Sequence, residues 1–339
     1  MSNTGFYLLP TAIGSMPHLN PDEACSLILK HLKDIPAWPQ LPNRSPEEGM
    51  IRQMGHGFPA ISVEDSNLLV KSAGLENGLE ELYSAYLAND LSHYTMTEDE
   101  ASGLYTLCGM TNPPFNAVKG QLAGPITFGL AVKDDSDRPI IYDSTLSDAV
   151  AIFLRLKACW QEAFMTHLGK TIIFLDEPGM ASYGSAFFNL DSHRIKALIN
   201  EVLGGLKGLK GVHCCANTDW TILLETNIDI ISFDSYHFPE ALNLYPETVK
   251  KFLTRGGAIA WGIVPSDEES LEKETVSSLK DRLEETMAQL SRKGIPFEEL
   301  VKRGLITPSC GLAMLSIEAS EYALATLSQL SEAMRRRYS

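Results

Sequence analysis

Positive charge is scarce in this sequence beside negative. Its 339 residues carry 28 lysines and arginines against 43 aspartates and glutamates, a formal charge of -15. Such a balance repels a phosphate backbone and lacks the basic footprint that nucleic-acid binding requires, so nucleic acid and anionic membranes are poor partners. No run of about 18 or more apolar residues occurs, which excludes a conventional membrane-spanning helix. The opening MSNTGFYLLPTAIGSMP has no cationic start followed by an apolar run and a cleavage site, and a soluble cytoplasmic protein is the expectation. Six irregularly placed cysteines are too few for a disulfide framework and divide instead between buried thiols and metal or catalytic ligands. Repeats, low-complexity tracts and long linkers are also missing, so one domain over residues 1–339 is expected. With 44% hydrophobic and 21% charged residues, disorder is excluded.

What is present is an alternation. Short apolar segments at Tyr7 to Ile13, Ala117 to Leu122, Thr171 to Leu175, Gly211 to Cys215, Ile228 to Phe233, Ala258 to Ile263 and Leu305 to Thr307 read as buried strands. Helix-period segments separate them, notably Ser147 to His167, Ser192 to Leu203, Pro239 to Leu253, Asp267 to Leu290 and Leu315 to Arg335. Asn20-Pro21 with Glu23 reads as the capped start of a further helix running to about His31. Strand then helix, repeated, means a parallel sheet. One more strand, placed between Trp38 and Val63, brings the count to about eight and predicts an α/β fold of the (β/α)8 TIM-barrel type. A doubly wound nucleotide fold is the alternative, but neither Gly-x-Gly-x-x-Gly after an early strand nor Gly-x-x-x-x-Gly-Lys-Ser/Thr occurs.

Chemistry-bearing residues fall at the C-terminal ends of these strands, the rim where barrel enzymes build active sites. In Gly-Val-His213-Cys214-Cys215, alternation points His213 and Cys215 the same way and Cys214 away. The pair can bite one metal, although a strand-end histidine beside small buried thiols has the same pattern. Cys310, in ITPSCGL at the last strand end, would join it at the same mouth, and two thiolates with an imidazole make three ligands of a zinc site with an exchangeable position. Asp234, ending IDIISFD, and His237 three residues later are candidates for a fourth ligand; Asp234 equally suits a helix N-cap or a supporting acceptor. A zinc ion held by two thiolates suits a third thiolate from a substrate, whose pKa it lowers. Asp176 and Glu177 end IIFLDEP as acid/base or ammonium-binding groups, or as a plain strand-to-helix turn. Backbone amides in Thr11 to Pro17 could bind a carboxylate. Cys25, Cys108 and Cys159 lie in helical patterns as core thiols.

Taken together, AIGSMP, KGQLAGPITF (Lys119 to Phe128), FLDEP, HCC, IDIISFD and PSCGL resemble, in that order, the catalytic C-terminal domain of cobalamin-independent methionine synthase, within the uroporphyrinogen-decarboxylase-like barrels. The resemblance spans almost the whole chain. It implies zinc held by His213, Cys215, Asp234 and Cys310, a homocysteine carboxylate on Ile13, Gly14 and Ser15, and its amine on Asp176, with Glu177 beside it. Asp234 stands where the family has Glu. The family's His-Gly-Glu segment has only Val63-Glu64-Asp65 as a loose counterpart. Its Asp-Ile-His-Ser-Pro stretch is replaced by Trp261-Gly262-Ile263 running into Val264-Pro265-Ser266, removing the histidine expected to protonate a folate leaving group. A cobalt leaving group needs no proton. That loss, and the absence of the extra N-terminal barrel of folate-dependent synthases, point to a methylcorrinoid donor such as methylcobalamin, free or carried by a corrinoid protein. The expectation is a zinc methyltransferase acting on a small thiol, homocysteine first and coenzyme M second. A porphyrinogen decarboxylase on the same barrel and a non-enzymatic zinc or corrinoid-docking protein are the alternatives.

Overall fold

Each apolar segment forms a strand in the computed structural model, which describes residues 5–65, 67–110, 115–186 and 188–338. In chain order the strands are β1 (Leu9–Pro10), β2 (Ile61–Glu64), β3 (Asn67–Val70), β4 (Phe115–Ala123), β5 (Lys133–Asp134), β6 (Gly169–Asp176), β7 (Leu209–Cys214), β8 (Ile230–Asp234), β9 (Ala258–Val264) and β10 (Gly304–Pro308). Seven of them form one curled sheet in the order β1-β10-β9-β8-β7-β6-β4, and all its ladders are parallel. A hairpin of β2 with β3, extended by β5, makes a separate three-stranded sheet. Parallel neighbours require crossovers, and helices supply them. Ser144–Met165 lies between β4 and β6, Ser192–Leu203 between β6 and β7, and Pro246–Thr254 between β8 and β9. No helix among the described residues is long and apolar enough to cross a membrane.

Alternation along the strands sorts the core in two. Ala117, Ile172, Phe174, Ile230, Ala258, Ala260 and Leu305 pack together on the concave side of the sheet. Their neighbours Val118, Ile173, Leu175, Ile231, Ile259 and Ile306 belong to the larger cluster shared with the helices. The concave parity, followed toward the C-terminal strand ends, runs from apolar to polar: Lys119 and Gln121 on β4, Asp176 on β6, His213 on β7, and Ser232 and Asp234 on β8 are all buried. One periodicity therefore builds an apolar floor and a polar mouth.

The sheet shows seven strands, one fewer than the barrel expectation. Between its edges β1 and β4 runs segment 34–40. Lys119 N donates to Pro36 O (2.8 Å), Trp38 N to Lys119 O (3.2 Å), Gln40 N to Gly14 O (3.1 Å) and Met16 N to Gln40 O (2.9 Å). Pro36 and Pro39 lack the N–H a ladder needs, which explains why this segment makes only isolated bridges. Most of the region expected to hold the eighth strand, Trp38 to Val63, contains the helix Met50–Gly55 and the start of the β2–β3 hairpin instead. Two expected helices are also interrupted. Thr275 caps a new helix, Val276–Arg292, after Glu268–Lys273, and Pro246 at a first-turn position starts Pro246–Thr254 after a 3-10 turn. At the first helix Asn20 caps as expected, accepting from Asp22 N at 2.8 Å.

Candidate functional site

The register of β6, β7 and β8 sets Asp176 beside His213 and His213 beside Ser232. Ser232 Oγ lies 2.9 Å from His213 Nδ1, which fixes the ring and leaves Nε2 buried without a hydrogen-bond partner. Cys215, one residue beyond β7, faces the same way, whereas Cys214 is buried in the helix-side core. Cys310 arrives from the turn after β10. That turn is pinned by Ser309 N donating to Val264 O (2.8 Å) and Leu312 N donating to Ser15 O (2.8 Å). The ligand atoms of His213, Cys215 and Cys310 all lie within 4.8 Å of one another. The Cys310 thiol first, and the His213 ring after it, hold the Cys215 thiol well below its ordinary pKa, and the Cys310 thiol is raised in turn. An orphaned buried imidazole nitrogen beside two thiols, one favoured as thiolate, is a donor set that fits zinc.

These three residues line a cavity of about 270 Å³ together with Ile13, Ser15, Glu48 and Asp176. Asp176 is 4% exposed and its Oδ1 has no partner. Burial raises its pKa to about 6, against the opposing pull of Lys119 and His213. At the first strand end, the amides of Ile13, Gly14 and Ser15 make no hydrogen bond with another described residue. Three consecutive free amides, two of them on cavity-lining residues, offer donors to an anion. Gly14 is required there: its φ is +151° and an added Cβ would stand 2.6 Å from the Gln121 side chain.

Three groups named from the sequence stand elsewhere in this structure. Glu177 does not face the cavity. It is fully buried and accepts from Ile126 N (2.9 Å), Thr127 N (2.7 Å) and Thr127 Oγ1 (2.6 Å), capping the helix Pro125–Ala131 that follows β4. Asp234 is not in the metal-capable cluster. Its Oδ1 accepts from Tyr236 N (3.0 Å) and His237 N (2.8 Å), and its Oδ2 lies 2.7 Å from His237 Nδ1. Tight turning of the chain after β8 takes up both oxygens, and His237, committed to Asp234 and 3.7 Å from Asp267, is likewise outside the set. The segment Val63-Glu64-Asp65 lies on the β2–β3 hairpin, with Glu64 paired to Lys71 at 2.7 Å.

Sequence reading missed Glu48, Ser232 and the role of Lys119. Glu48 is 1% exposed, lines the cavity and is held by Arg44, Ser102 and Leu41 N. Nothing in the sequence separates it from its neighbour Glu47. Lys119 and Gln121 did carry a signal, being the polar residues at the concave parity of an otherwise apolar strand.

No protein-family model and no curated protein matches the chain. Among solved structures, it is similar to a B12-independent methionine synthase from Shewanella sp. W3-18-1 in complex with selenomethionine, at 19% identity over 97% of this chain and 98% of that one, with a TM-score of 0.59. It is also similar to the putative vitamin-B12-independent methionine synthase from Listeria monocytogenes, at 15% identity over 92% and 85% of the two chains, with a TM-score of 0.54. These likenesses concern the fold.

Proposed function

We propose that the chain is a zinc-dependent methyltransferase acting on a small thiol, homocysteine first, to give methionine. We read it as one domain over residues 1–339, a (β/α)8 barrel whose irregular eighth stave is segment 34–40. The observation that carries the reading is the convergence of His213 Nε2, Cys215 Sγ and Cys310 Sγ at a cavity that also holds a free carboxylate oxygen and three free amides. Zinc held by those three atoms would lower the pKa of a fourth, substrate-borne thiol and present it as a nucleophile at neutral pH. The remaining work belongs to the protein. Asp176 Oδ1 accepts from the substrate ammonium, Glu48 adds a second carboxylate on the cavity wall, and the amides of Ile13, Gly14 and Ser15 receive the substrate carboxylate. This pairing of anchors favours an amino acid over coenzyme M as acceptor.

A cavity of about 270 Å³ takes an amino-acid-sized thiol and leaves the methyl carrier at the mouth. The carrier would lie outside the cavity lining, and the segment Trp261 to Ser266 carries no histidine where the resembling family has one to protonate a departing folate nitrogen. On that ground we assign the donor as a methylcorrinoid, free or protein-bound. The two similar structures are named as B12-independent enzymes, so the donor assignment draws no support from them.

The test starts with metal content by plasma mass spectrometry, on wild type and Cys310→Ser purified without added metal. About one zinc per chain, lost in the variant, is expected. No zinc in either protein, even after reconstitution under reducing conditions, overturns the reading in favour of a metal-free decarboxylase-like barrel. Methionine formation is then compared with methylcobalamin and with methyltetrahydrofolate as donor. Turnover on methylfolate alone would reassign the donor and keep the thiol chemistry.

A further inference from the structure

One charged group inside the sheet has no part in the chemistry above. Lys119 is completely buried on the concave side, a costly place for an ammonium. Its Nζ donates to Ile13 O at 2.6 Å and to Gln121 Oε1 at 3.0 Å, and sits 4.6 Å from the centroid of the Phe174 ring. Gln121 is anchored in turn by donating from Nε2 to Trp38 O at 3.0 Å.

The contact with Ile13 O bears on the turn above it. A trans peptide is planar, so its C=O and the following N–H point in opposite directions. No cis peptide bond occurs among the described residues, and the Ile13 carbonyl is drawn toward Lys119. The Gly14 N–H is thereby directed away from the ammonium, and it has no described partner of its own. Gln121, packed under Gly14 so closely that a Cβ there would stand 2.6 Å away, braces the same peptide from below. A turn with three unbonded amides would otherwise rotate to satisfy them with water or protein.

We infer that Lys119 is a positioning residue that locks the Ile13–Gly14 peptide so that the 13–15 turn presents its amides to a substrate carboxylate. The inference rests on the proposed homocysteine site and adds the element that makes its carboxylate end selective. Lys119 does not touch the substrate itself. Its ammonium pre-orients the peptide dipoles, which removes the reorganisation that binding a carboxylate would otherwise require.

The test is isothermal titration of zinc-loaded wild type, Lys119→Met and Lys119→Arg with homocysteine, with 3-aminopropanethiol, which lacks the carboxylate, and with 4-mercaptobutanoate, which lacks the amine. Zinc content and far-UV circular dichroism are followed alongside. Wild type should bind homocysteine about tenfold or more tightly than 3-aminopropanethiol, as expected for a charge-assisted hydrogen-bonding site. Lys119→Met should bring that ratio close to one at unchanged zinc content, and Lys119→Arg should restore part of it. An equal loss for every thiol would show a merely structural role and overturn the inference. So would loss of discrimination against 4-mercaptobutanoate alone, which would mean that Lys119 acts through Asp176. If Lys119→Met does not fold, Gln121→Met tests the same lock, because it removes both the brace under Gly14 and the acceptor that holds the Lys119 ammonium in place, and it should narrow the ratio in the same way. Wild type that fails to bind homocysteine at all would overturn the proposed function, and this inference with it.

Discussion

At the end of β7, His213 keeps one ring nitrogen free because Ser232 holds the other, while at the end of the neighbouring β8, Asp234 and His237 are bound to each other. Both ends carry metal-capable residues at the concave rim. They differ in the path of the chain just beyond the strand. After His213 the chain stays extended as far as Cys214, with Cys215 just beyond. After Asp234 it turns at once, and two backbone amides claim the carboxylate. A position at a strand end brings a side chain to the site, but the local turn decides whether its donor atoms remain available.

Removing a donor from the open set gives the largest expected effect. Cys310→Ser should lower zinc affinity by more than about a hundredfold, beyond the ten- to hundredfold cost of losing a supporting hydrogen bond. Thiol alkylation should be lost with it while far-UV circular dichroism stays intact. An unfolded variant would show that the metal is structural. Next comes Asp176→Asn, which leaves the metal set untouched and should raise the homocysteine Kd about ten- to hundredfold, as loss of a charged hydrogen bond does. This carboxylate also sets a pH limb. Burial lifts its pKa to about 6, so protonation below that value removes the charge that holds an ammonium. Homocysteine affinity should therefore fall as pH drops through about 6 in wild type, and calorimetry should find that limb missing in Asp176→Asn. Persistence of the limb in the variant would move the ammonium site to another carboxylate. Ser232→Ala ranks third, expected to weaken zinc about tenfold by freeing the imidazole to rotate, with the fold unchanged. Zinc titration against a competing chelator measures it, and unchanged affinity would show that the hydrogen bond to Nδ1 does not orient the ring.

The same contrast explains what the sequence could disclose. Six of the seven strands of the main sheet were readable within a few residues from apolar runs, and β1 from the chain preceding the Asn20 cap. His213, Cys215 and Cys310 were readable because alternation along β7 and a strand-end turn set their directions. The inner stave at 34–40 was not, since Pro36 and Pro39 break the pattern that marks a strand. Asp176 and Glu177 were inseparable in sequence. Only the fold shows that helix Pro125–Ala131 begins where Glu177 can cap it, turning one carboxylate into a structural group and leaving its neighbour's Oδ1 unpaired. Glu48 became visible only once the helix Met50–Gly55 and its preceding turn had closed over the cavity.

The smallest expected effect is the sharpest test of the contrast between β7 and β8. The sequence resemblance leads to the expectation that Asp234 ligates zinc, yet its oxygens serve the turn and His237. Asp234→Asn should change zinc affinity by less than about twofold, since no donor leaves the set of His213, Cys215 and Cys310. Asn keeps Oδ1 for the two backbone amides and replaces the charged partner of His237 with a neutral one. Zinc titration against a competing chelator reads any difference in affinity. A loss of zinc affinity comparable to that of Cys310→Ser would instead mean that Asp234 releases His237 and turns inward when metal binds. The two strand ends would then differ in the metal-free protein alone, and the turn after β8 would be a switch closed by the ion.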